Sequence, residues 1–351
     1  MVTANFSAEP DLAWCHEAVQ GVSRTFALTV DVLDEPMSSH VCLGYLLCRV
    51  ADTVEDAGRI PVEDRVRLLS TYEAALDPEG DTTMTEFRAA VDEWVPAPAA
   101  RSDDWAVVAQ SPRIWATFAD QPESVRDAVV PLVREMVEGM ATFVADHAAA
   151  GGLRIADRAA LERYCYYAAG TVGTLVTNLL TRGDVEGDRA ERLYDTATEF
   201  GLLLQLVNVS KDVYDDYTAE NNVYLPADWL AAEGVDQDAV LDPANRAGAA
   251  RVVERTAGHA ATFLDDAQAY LQAMPLVHGN TVAAWAVPYL LSVGTIRELR
   301  SRPADALTEG GVTVSRQEVL AVVAAATDAG RNAVPSLRET IAREPYHLAG
   351  E

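Results

Sequence analysis

Two pairs of aspartates stand one helical turn apart in the chain, each at the end of an apolar stretch. Asp52 and Asp56 belong to YLLCRVADTVED, and Asp212 and Asp216 belong to NVSKDVYDD, which follows FGLLLQLV. Residues four apart on a helix project from one face with β-carbons about 5–6 Å apart, so two such carboxylates can share a hard cation. Each pair is therefore a candidate metal clamp.

A pair of this spacing in so acidic a chain is also typical of a solvated helix face, but two polar stripes favour the functional interpretation. The first stripe has spacings of four, three and four and contains Tyr45, Arg49, Asp52 and Asp56. The second stripe contains Gln205, Asn208, Asp212 and either Asp216 or Asp215. Buried polar groups need partners, and facing carboxylate pairs repel unless divalent cations lie between them.

These stripes predict a central cavity in which two carboxylate clusters face each other and hold Mg²⁺. Because Mg²⁺ takes few carboxylates and keeps positions for water and phosphate oxygens, the expected ligand is a diphosphate or a similar group. Arg49, and Arg24 in SRTF, are candidates for guanidinium contacts to its oxygens. For Arg24 a surface ion pair is the alternative.

The elements that must position these side chains all have helical periodicity. Proline and glycine interrupt the pattern at the joints, and strand alternation with hairpin turns is absent from the sequence. We predict a single all-α domain over 1–351, a helical bundle with its core at about 20–300 and C-terminal helices at 301–344. The long helical segments are predicted at 36–57, 123–149, 157–182, 188–219, 247–273, 279–301 and 315–343.

Composition limits the partners of the protein. The 351 residues are 49% hydrophobic, enough for a large core, and carry a formal net charge of −27, which argues against nucleic-acid binding. Lys211 is the only lysine, and every other Lys/Arg position is arginine. This pattern predicts a halophilic source, and a GC-rich genome is the alternative explanation. Only a halophilic source predicts that the stability of the protein rises with KCl.

The cysteines, the histidines and the start of the sequence indicate a cytoplasmic protein. The cysteines form no CxxC pair and are expected to be reduced core residues: Cys15, Cys42, Cys48 and Cys165. The six histidines are scattered, which argues against zinc. We expect neither a signal peptide nor a transmembrane segment. Peripheral membrane contact and the oligomeric state are left open.

A third motif, YCYYAAGTVG, begins with two tyrosines. Tyr164 and Tyr167 are candidates for hydrogen bonding a phosphate or moving a proton, and a role in the core is the alternative. A stripe of small residues follows, with Ala169 or Gly170, Gly173 and Thr177. This stripe permits either close helix packing or room for a long apolar ligand.

Taken together, the motifs SRTF, YLLCRVADTVED, YCYYAAGTVG and LLQLVNVSKDVYDD, followed by YLP, resemble the squalene/phytoene synthase family, and most closely its squalene synthase branch. The resemblance implies an isoprenoid synthase fold and head-to-head condensation of two farnesyl diphosphates through presqualene diphosphate, followed by reduction with NADPH or NADH. It implies Mg²⁺, or Mn²⁺, held by Asp52, Glu55, Asp56, Asp212 and Asp216. Product release would bring the enzyme to a membrane surface.

The resemblance also assigns individual roles. Tyr164 is similar to a tyrosine that handles a proton, while Arg24, Arg49 and Asn208 would contact phosphate or cofactor. The expected cavity wall contains Ser23, Phe26, Tyr45, Gln205 and Asn208. Two departures stand out: Asn222 replaces a basic residue before YLP, which weakens a phosphate contact, and VTVSRQ at 312–317 keeps only Arg316 of a basic cofactor-binding run.

Three functions therefore remain open: a squalene synthase, a phytoene or dehydrosqualene synthase, and a non-catalytic assembly protein. A phytoene or dehydrosqualene synthase would omit the hydride step that a squalene synthase requires. A non-catalytic assembly protein would have no reason to keep both acid pairs. A terpene cyclase of the same fold would carry an Asn-Asp…Ser…Glu motif, which NVSKDVYDD lacks.

Overall fold

The computed structural model describes residues 10–183, 185–328 and 330–349, apart from the side chain of Arg24. Within these residues the fold is all-α, as predicted, and the only β pairing is an isolated parallel bridge between Arg154 and Val223. The helices are α1 (Leu12–Val22), α2 (Arg24–Asp31), α3 (Met37–Glu55), α4 (Val62–Ala75), α5 (Met84–Val91), α6 (Asp103–Ala109), α7 (Ser111–Ala119), α8 (Glu123–Asp146), α9 (Arg158–Cys165), α10 (Thr171–Thr181), α11 (Gly187–Lys211), α12 (Val213–Glu220), α13 (Ala227–Ala232), α14 (Arg246–Ala260), α15 (Leu264–Ala273), α16 (Val282–Ser301), α17 (Arg316–Asp328) and α18 (Val334–Arg343).

Several of the predicted helical segments contain an irregular turn. A π-helical turn at Tyr166–Gly170 separates α9 from α10, and a 3₁₀ turn at Ala261–Phe263 separates α14 from α15. Asp212, with φ −105° and ψ 16°, separates α11 from α12. The apolar face continues across each short interruption, which is why periodicity alone did not reveal the break.

The two helices with polar stripes lie on either side of a third. Helix α11 packs against α10, α14, α15 and α16, whereas α3 packs against α1, α6, α7 and α8. Helix α10 contacts both α3 and α11. The acid motifs, at the C-terminal ends of α3 and α11, are thereby held on one scaffold.

Glycines allow the closest of these contacts. A β-carbon on Gly173 would lie 2.1 Å from the Ala197 carbonyl oxygen, and one on Gly201 would lie 2.2 Å from the Ala169 carbonyl oxygen. Thr177 is fully buried and its hydroxyl lies 2.8 Å from the Tyr270 hydroxyl. At Gly173 and Thr177 the stripe of small residues is therefore used for close helix packing.

The main core takes in residues from Cys15 to Ile341, and all four cysteines are buried and free, as predicted. A smaller apolar cluster beneath α12 includes Val213, Leu225 and Val312. The single-domain assignment stays a prediction. No helix among the described residues has both the length and the apolar character that crossing a membrane requires.

Candidate active site

The first stripe has the burial pattern that its spacing predicts. From residue 37 to residue 57 every position is buried except four, Tyr45, Arg49, Asp52 and Asp56, which are partly exposed. An otherwise buried helix thus opens to solvent along one polar line. This line differs from an ordinary solvated helix face, because its flanks are in the core.

The second stripe is less regular. Asn208 is exposed, whereas Gln205, Asp212 and Asp216 are partly buried. Asp215 is exposed, and burial raises the pKa of Asp216 to about 9, with Glu220, Asp212 and Asp56 adding to the rise. Asp216, not Asp215, therefore faces the first motif.

The two motifs share one electrostatic environment. Burial raises the pKa of Asp56 well above its usual range, and Glu220 and then Asp52 raise it further. Burial likewise raises the pKa of Glu220 to about 7, with Asp212 and Asp52 adding to the rise. Glu220 and Asp216 of α12 therefore lie close enough to Asp56, at the end of α3, for their charges to interact.

Glu55 of the first motif is buried in contact with Arg65. Glu55 is 2% exposed, and its Oε1 is buried without a hydrogen-bond partner among the described residues. Arg65 is 3% exposed and donates from Nη1 to the Glu55 carbonyl oxygen at 2.7 Å. A buried carboxylate oxygen without a partner is costly, so a cation at this position would stabilise it.

Arg49 stands at the edge of the acid cluster. Its Nη2 lies 2.8 Å from Asp104 Oδ1, and its Nη1 lies 3.8 Å from Asp52 Oδ2. Tyr45, one turn earlier on α3, stacks on Phe26 with ring centroids 3.9 Å apart. Ser23 caps α2 through the Phe26 N–H, so the motif SRTF lies beside the first stripe. The prediction for Arg24 concerns a side chain outside the described part.

The tyrosine motif meets the acids from a third direction. Tyr164 is 4% exposed, and its Oη lies 3.0 Å from Tyr224 Oη. Burial raises the pKa of Tyr164 well above its usual range, and Glu55, Tyr224 and Asp56 raise it further. Its phenol is therefore protonated at neutral pH and lies beside the first motif.

Tyr167 has a packing role. A β-carbon on Gly139 of α8 would lie 2.2 Å from Tyr167 Cγ, so the tyrosine ring fills the space that this glycine leaves. The alternative role in the core is therefore the one observed for Tyr167.

The predicted cofactor loop lies near the second motif, but Arg316 does not reach the acids. The Val312 N–H donates to the Lys211 carbonyl oxygen at 3.2 Å, and Gly311, with φ 55°, packs on the same carbonyl. Lys211 forms an ion pair with Asp212. Arg316 is exposed at the start of α17.

Four residues with contacts in this site were not predicted from sequence: Asp104, Arg65, Glu220 and Tyr224. Glu220 follows Asp216 by four residues, so extending the helical stripe by one turn would have found it. Tyr224 belongs to YLP. Asp104 and Arg65 carry no local signal, because each meets α3 only through the fold.

The donor set suits Mg²⁺, although no preformed cage exists. No group of three or more His, Cys, Asp or Glu side chains within the described ranges is close enough to hold a metal ion on its own. The donors are carboxylate oxygens on two facing helices, and Glu55 Oε1 has no partner. Mg²⁺ completes its shell with water and phosphate oxygens, so an open set of this kind fits it.

Two cavities lie away from the acid motifs. One of about 300 Å³ is bordered by Asp77, Thr83 and Trp115, and one of about 630 Å³ by Asn280, Thr327 and Arg331. Neither includes a residue of the acid motifs. The central cavity predicted between the motifs stays a prediction.

The structure thus combines an all-α fold, two neighbouring carboxylate motifs, an arginine at their edge and a buried tyrosine. The chain belongs to the squalene/phytoene synthase family, whose profile matches residues 19–318. Members of this family bind isoprenyl diphosphates and typically use Mg²⁺.

Two relatives illustrate the sequence similarity. Squalene synthase LSS of Botryococcus braunii is 24% identical over 298 residues, which is 84% of this chain and 59% of that protein. The 15-cis-phytoene synthase of Enterobacter agglomerans is 36% identical over 125 residues, which is 36% of this chain and 38% of that protein. The chain thus spans about half the length of the curated relatives it matches.

Solved structures share the fold. TcSQS in complex with the ligand E5700 has a TM-score of 0.78 at 24% identity, covering 94% of this chain and 89% of that one. A dehydrosqualene synthase in complex with a ligand has a TM-score of 0.58 at 18% identity, covering 90% and 95%. At these identities the similarity concerns the fold.

Proposed function

We propose that this protein is a squalene synthase. It would condense two farnesyl diphosphates head to head through presqualene diphosphate and reduce that intermediate to squalene with NADPH or NADH. The observation that supports this most is the electrostatic interaction of Asp216 with Asp56, with Arg49 and Tyr164 beside the first motif, in a chain of this family. The squalene synthase match over 84% of the chain favours this branch over a phytoene synthase match that covers 36%.

The metal would be held by carboxylates of both motifs. A bound Mg²⁺ would stabilise negative charge on the departing diphosphate. The residues that would hold it are Asp52, Glu55, Asp56, Asp212 and Asp216. In this assignment the partnerless Glu55 Oε1 gains a counter-charge.

Other side chains would bind and orient the substrate. Arg49, held by Asp104, would present its guanidinium to diphosphate oxygens, and Arg24 and Asn208 would add polar contacts. The protonated phenol of Tyr164 would donate a hydrogen bond at the reacting end. The stacked Phe26 and Tyr45 rings would shield the reacting carbons from water. Ser23 and Gln205 would complete the wall.

A synthase without the hydride step, making phytoene or dehydrosqualene, is the second candidate. The exposed position of Arg316 and the loss of other basic residues in VTVSRQ favour it, since little charge remains for a nicotinamide cofactor's phosphate. The intact, converging acid pairs argue against a non-catalytic assembly role. We further propose a halophilic source and a cytoplasmic enzyme with peripheral contact to the membrane.

Product analysis by mass spectrometry tests the proposal. The purified protein, in high KCl with Mg²⁺, is given farnesyl or geranylgeranyl diphosphate, each with and without NADPH. Squalene from farnesyl diphosphate with NADPH, and presqualene diphosphate without it, are expected. Phytoene from geranylgeranyl diphosphate, independent of NADPH, would refute the squalene synthase assignment.

Two variants connect the activity to the site. Asp52→Asn is expected to abolish Mg²⁺-dependent turnover while circular dichroism shows unchanged helix content. Asp215→Asn is the matched control, because Asp215 is exposed beside the second motif. Full activity in Asp52→Asn would refute the metal assignment.

A further inference from the structure

Asn222, at a position where a basic residue was expected, connects two parts of the site through a side chain that is 1% exposed. Its Oδ1 accepts the Leu153 N–H at 2.8 Å, while its Nδ2 donates to Glu220 Oε2 at 3.2 Å and to Tyr224 Oη at 3.2 Å. An arginine has no acceptor for the Leu153 N–H. The amide is therefore matched to its three neighbours, and it is not a phosphate contact.

The Leu153 N–H fixes the orientation of the amide. A backbone N–H needs an acceptor, so the side-chain oxygen of Asn222 must face Leu153 and the nitrogen must face the other two partners. Tyr224 Oη consequently accepts a hydrogen bond from Asn222. This assignment decides what the Tyr224 hydrogen can do.

The next bond in the chain joins two phenols. Tyr224 Oη lies 3.0 Å from Tyr164 Oη, and across the described ranges its only other partner is Asn222. If Tyr224 donates to Tyr164, the bonds run head to tail and strengthen one another. If Tyr164 donates to Tyr224, two donors compete for one oxygen and the buried Tyr224 hydrogen has no acceptor.

We propose that Asn222 is a positioning residue that directs this hydrogen-bond chain, so that the Tyr164 O–H points at the first acid motif, ready to donate to a substrate diphosphate. The proposal rests on the proposed function, because it needs a diphosphate beside Glu55 and Asp56. Asn222 acts through Tyr224 and does not touch the substrate. Its second N–H holds the Glu220 carboxylate toward the same opening.

Asn222→Asp tests the direction of the chain. The new carboxyl group keeps an acceptor for Leu153 and shares a proton with Glu220 Oε2, which lies 3.2 Å from the replaced Nδ2. Because the new group accepts from Tyr224 where the amide donated, Tyr224 Oη becomes an acceptor for the Tyr164 hydrogen and competes with the substrate for it. Asn221→Asp is the matched control, because it adds the same charge one residue away, where Asn221 Oδ1 accepts from Arg154 at 2.9 Å.

The readout is calorimetric binding of inorganic pyrophosphate in the presence of Mg²⁺, which needs no turnover. Asn222→Asp is expected to weaken pyrophosphate binding about tenfold more than the control Asn221→Asp does. This factor corresponds to the loss of one hydrogen bond to a charged group. In a Tyr224→Phe background this extra effect should vanish, because nothing transmits the reversal to Tyr164. Tyr164→Phe should weaken binding by a similar factor.

The outcomes separate the two proposals. Equal losses in Asn222→Asp and Asn221→Asp, or a loss that persists with Tyr224→Phe, would overturn the role of Asn222 and leave the proposed function intact. Failure of the unsubstituted protein to bind Mg²⁺-pyrophosphate would overturn both. If Asn222→Asp does not fold, Asn222→Ala replaces it, with an expected loss of about threefold that also vanishes with Tyr224→Phe.

Discussion

Replacing Asp216 with asparagine is expected to stabilise the metal-free protein at neutral pH, even though Asp216 belongs to the proposed metal site. Burial raises the pKa of this carboxyl from 3.8 to about 9, and Glu220, Asp212 and Asp56 add to the rise. Folding therefore forces the group to keep a proton that the unfolded chain releases. Asparagine is uncharged in both states.

The sign and size follow from linkage. Because the folded-state pKa is raised, the folded state binds more protons than the unfolded state between about pH 4 and pH 9, and stability falls as pH rises through this window. At pH 7 the ordinary pKa of Asp216 lies about three units below the pH, and each unit corresponds to about 1.4 kcal/mol. The penalty is thus up to about 4 kcal/mol, shared with the neighbouring acids.

Urea unfolding in EDTA and constant KCl measures this. At pH 7 Asp216→Asn is expected to unfold with a free energy about 2–4 kcal/mol higher than the unsubstituted protein, with a smaller gain at pH 5. Asp215→Asn, at the exposed neighbour, should change little. Mg²⁺ and pyrophosphate at saturating concentrations should raise the free energy of unfolding of the unsubstituted protein but not that of Asp216→Asn. A variant that is no more stable at pH 7, or an equal gain in the control, would refute the reasoning.

Three further predictions concern packing, positioning and salt. Gly173→Ala should lower the free energy of unfolding by about 3 kcal/mol, because its β-carbon would overlap a backbone carbonyl of α11. Gly258→Ala, where the added β-carbon meets open space, should raise the free energy of unfolding by up to about 1 kcal/mol. Equal changes of the two variants in thermal unfolding would contradict the packing. Asp104→Asn should weaken Mg²⁺-pyrophosphate binding several-fold, because it releases the Arg49 guanidinium. Asp103→Asn, one residue earlier, should leave the affinity unchanged. Indistinguishable calorimetric affinities of the two variants would exclude the positioning of Arg49 by Asp104. The melting temperature should rise between about 0.1 and 3 M KCl, and a flat response would favour the GC-rich explanation.

The sequence alone determined the polar stripe of α3. Helical spacing fixes which side chains share a face, so Tyr45, Arg49, Asp52 and Asp56 had to emerge together from a helix whose other residues are mostly apolar. The same reasoning identified Asp212 and Asp216 and predicted an all-α fold. These features depend only on residues within a few turns of one another.

Tertiary structure decided what faces those stripes. Asp104 meets Arg49 across 55 positions and Tyr224 meets Tyr164 across 60, contacts that no local periodicity contains. The break at Asp212, which Asp216 and Glu220 follow, occurs where Gly311 and Val312 pack on the preceding carbonyl. Asn222 has its role only because Leu153 and Tyr224 lie on either side of its amide. Such contacts depend on how helices pack, and a single sequence specifies that packing only through the whole fold.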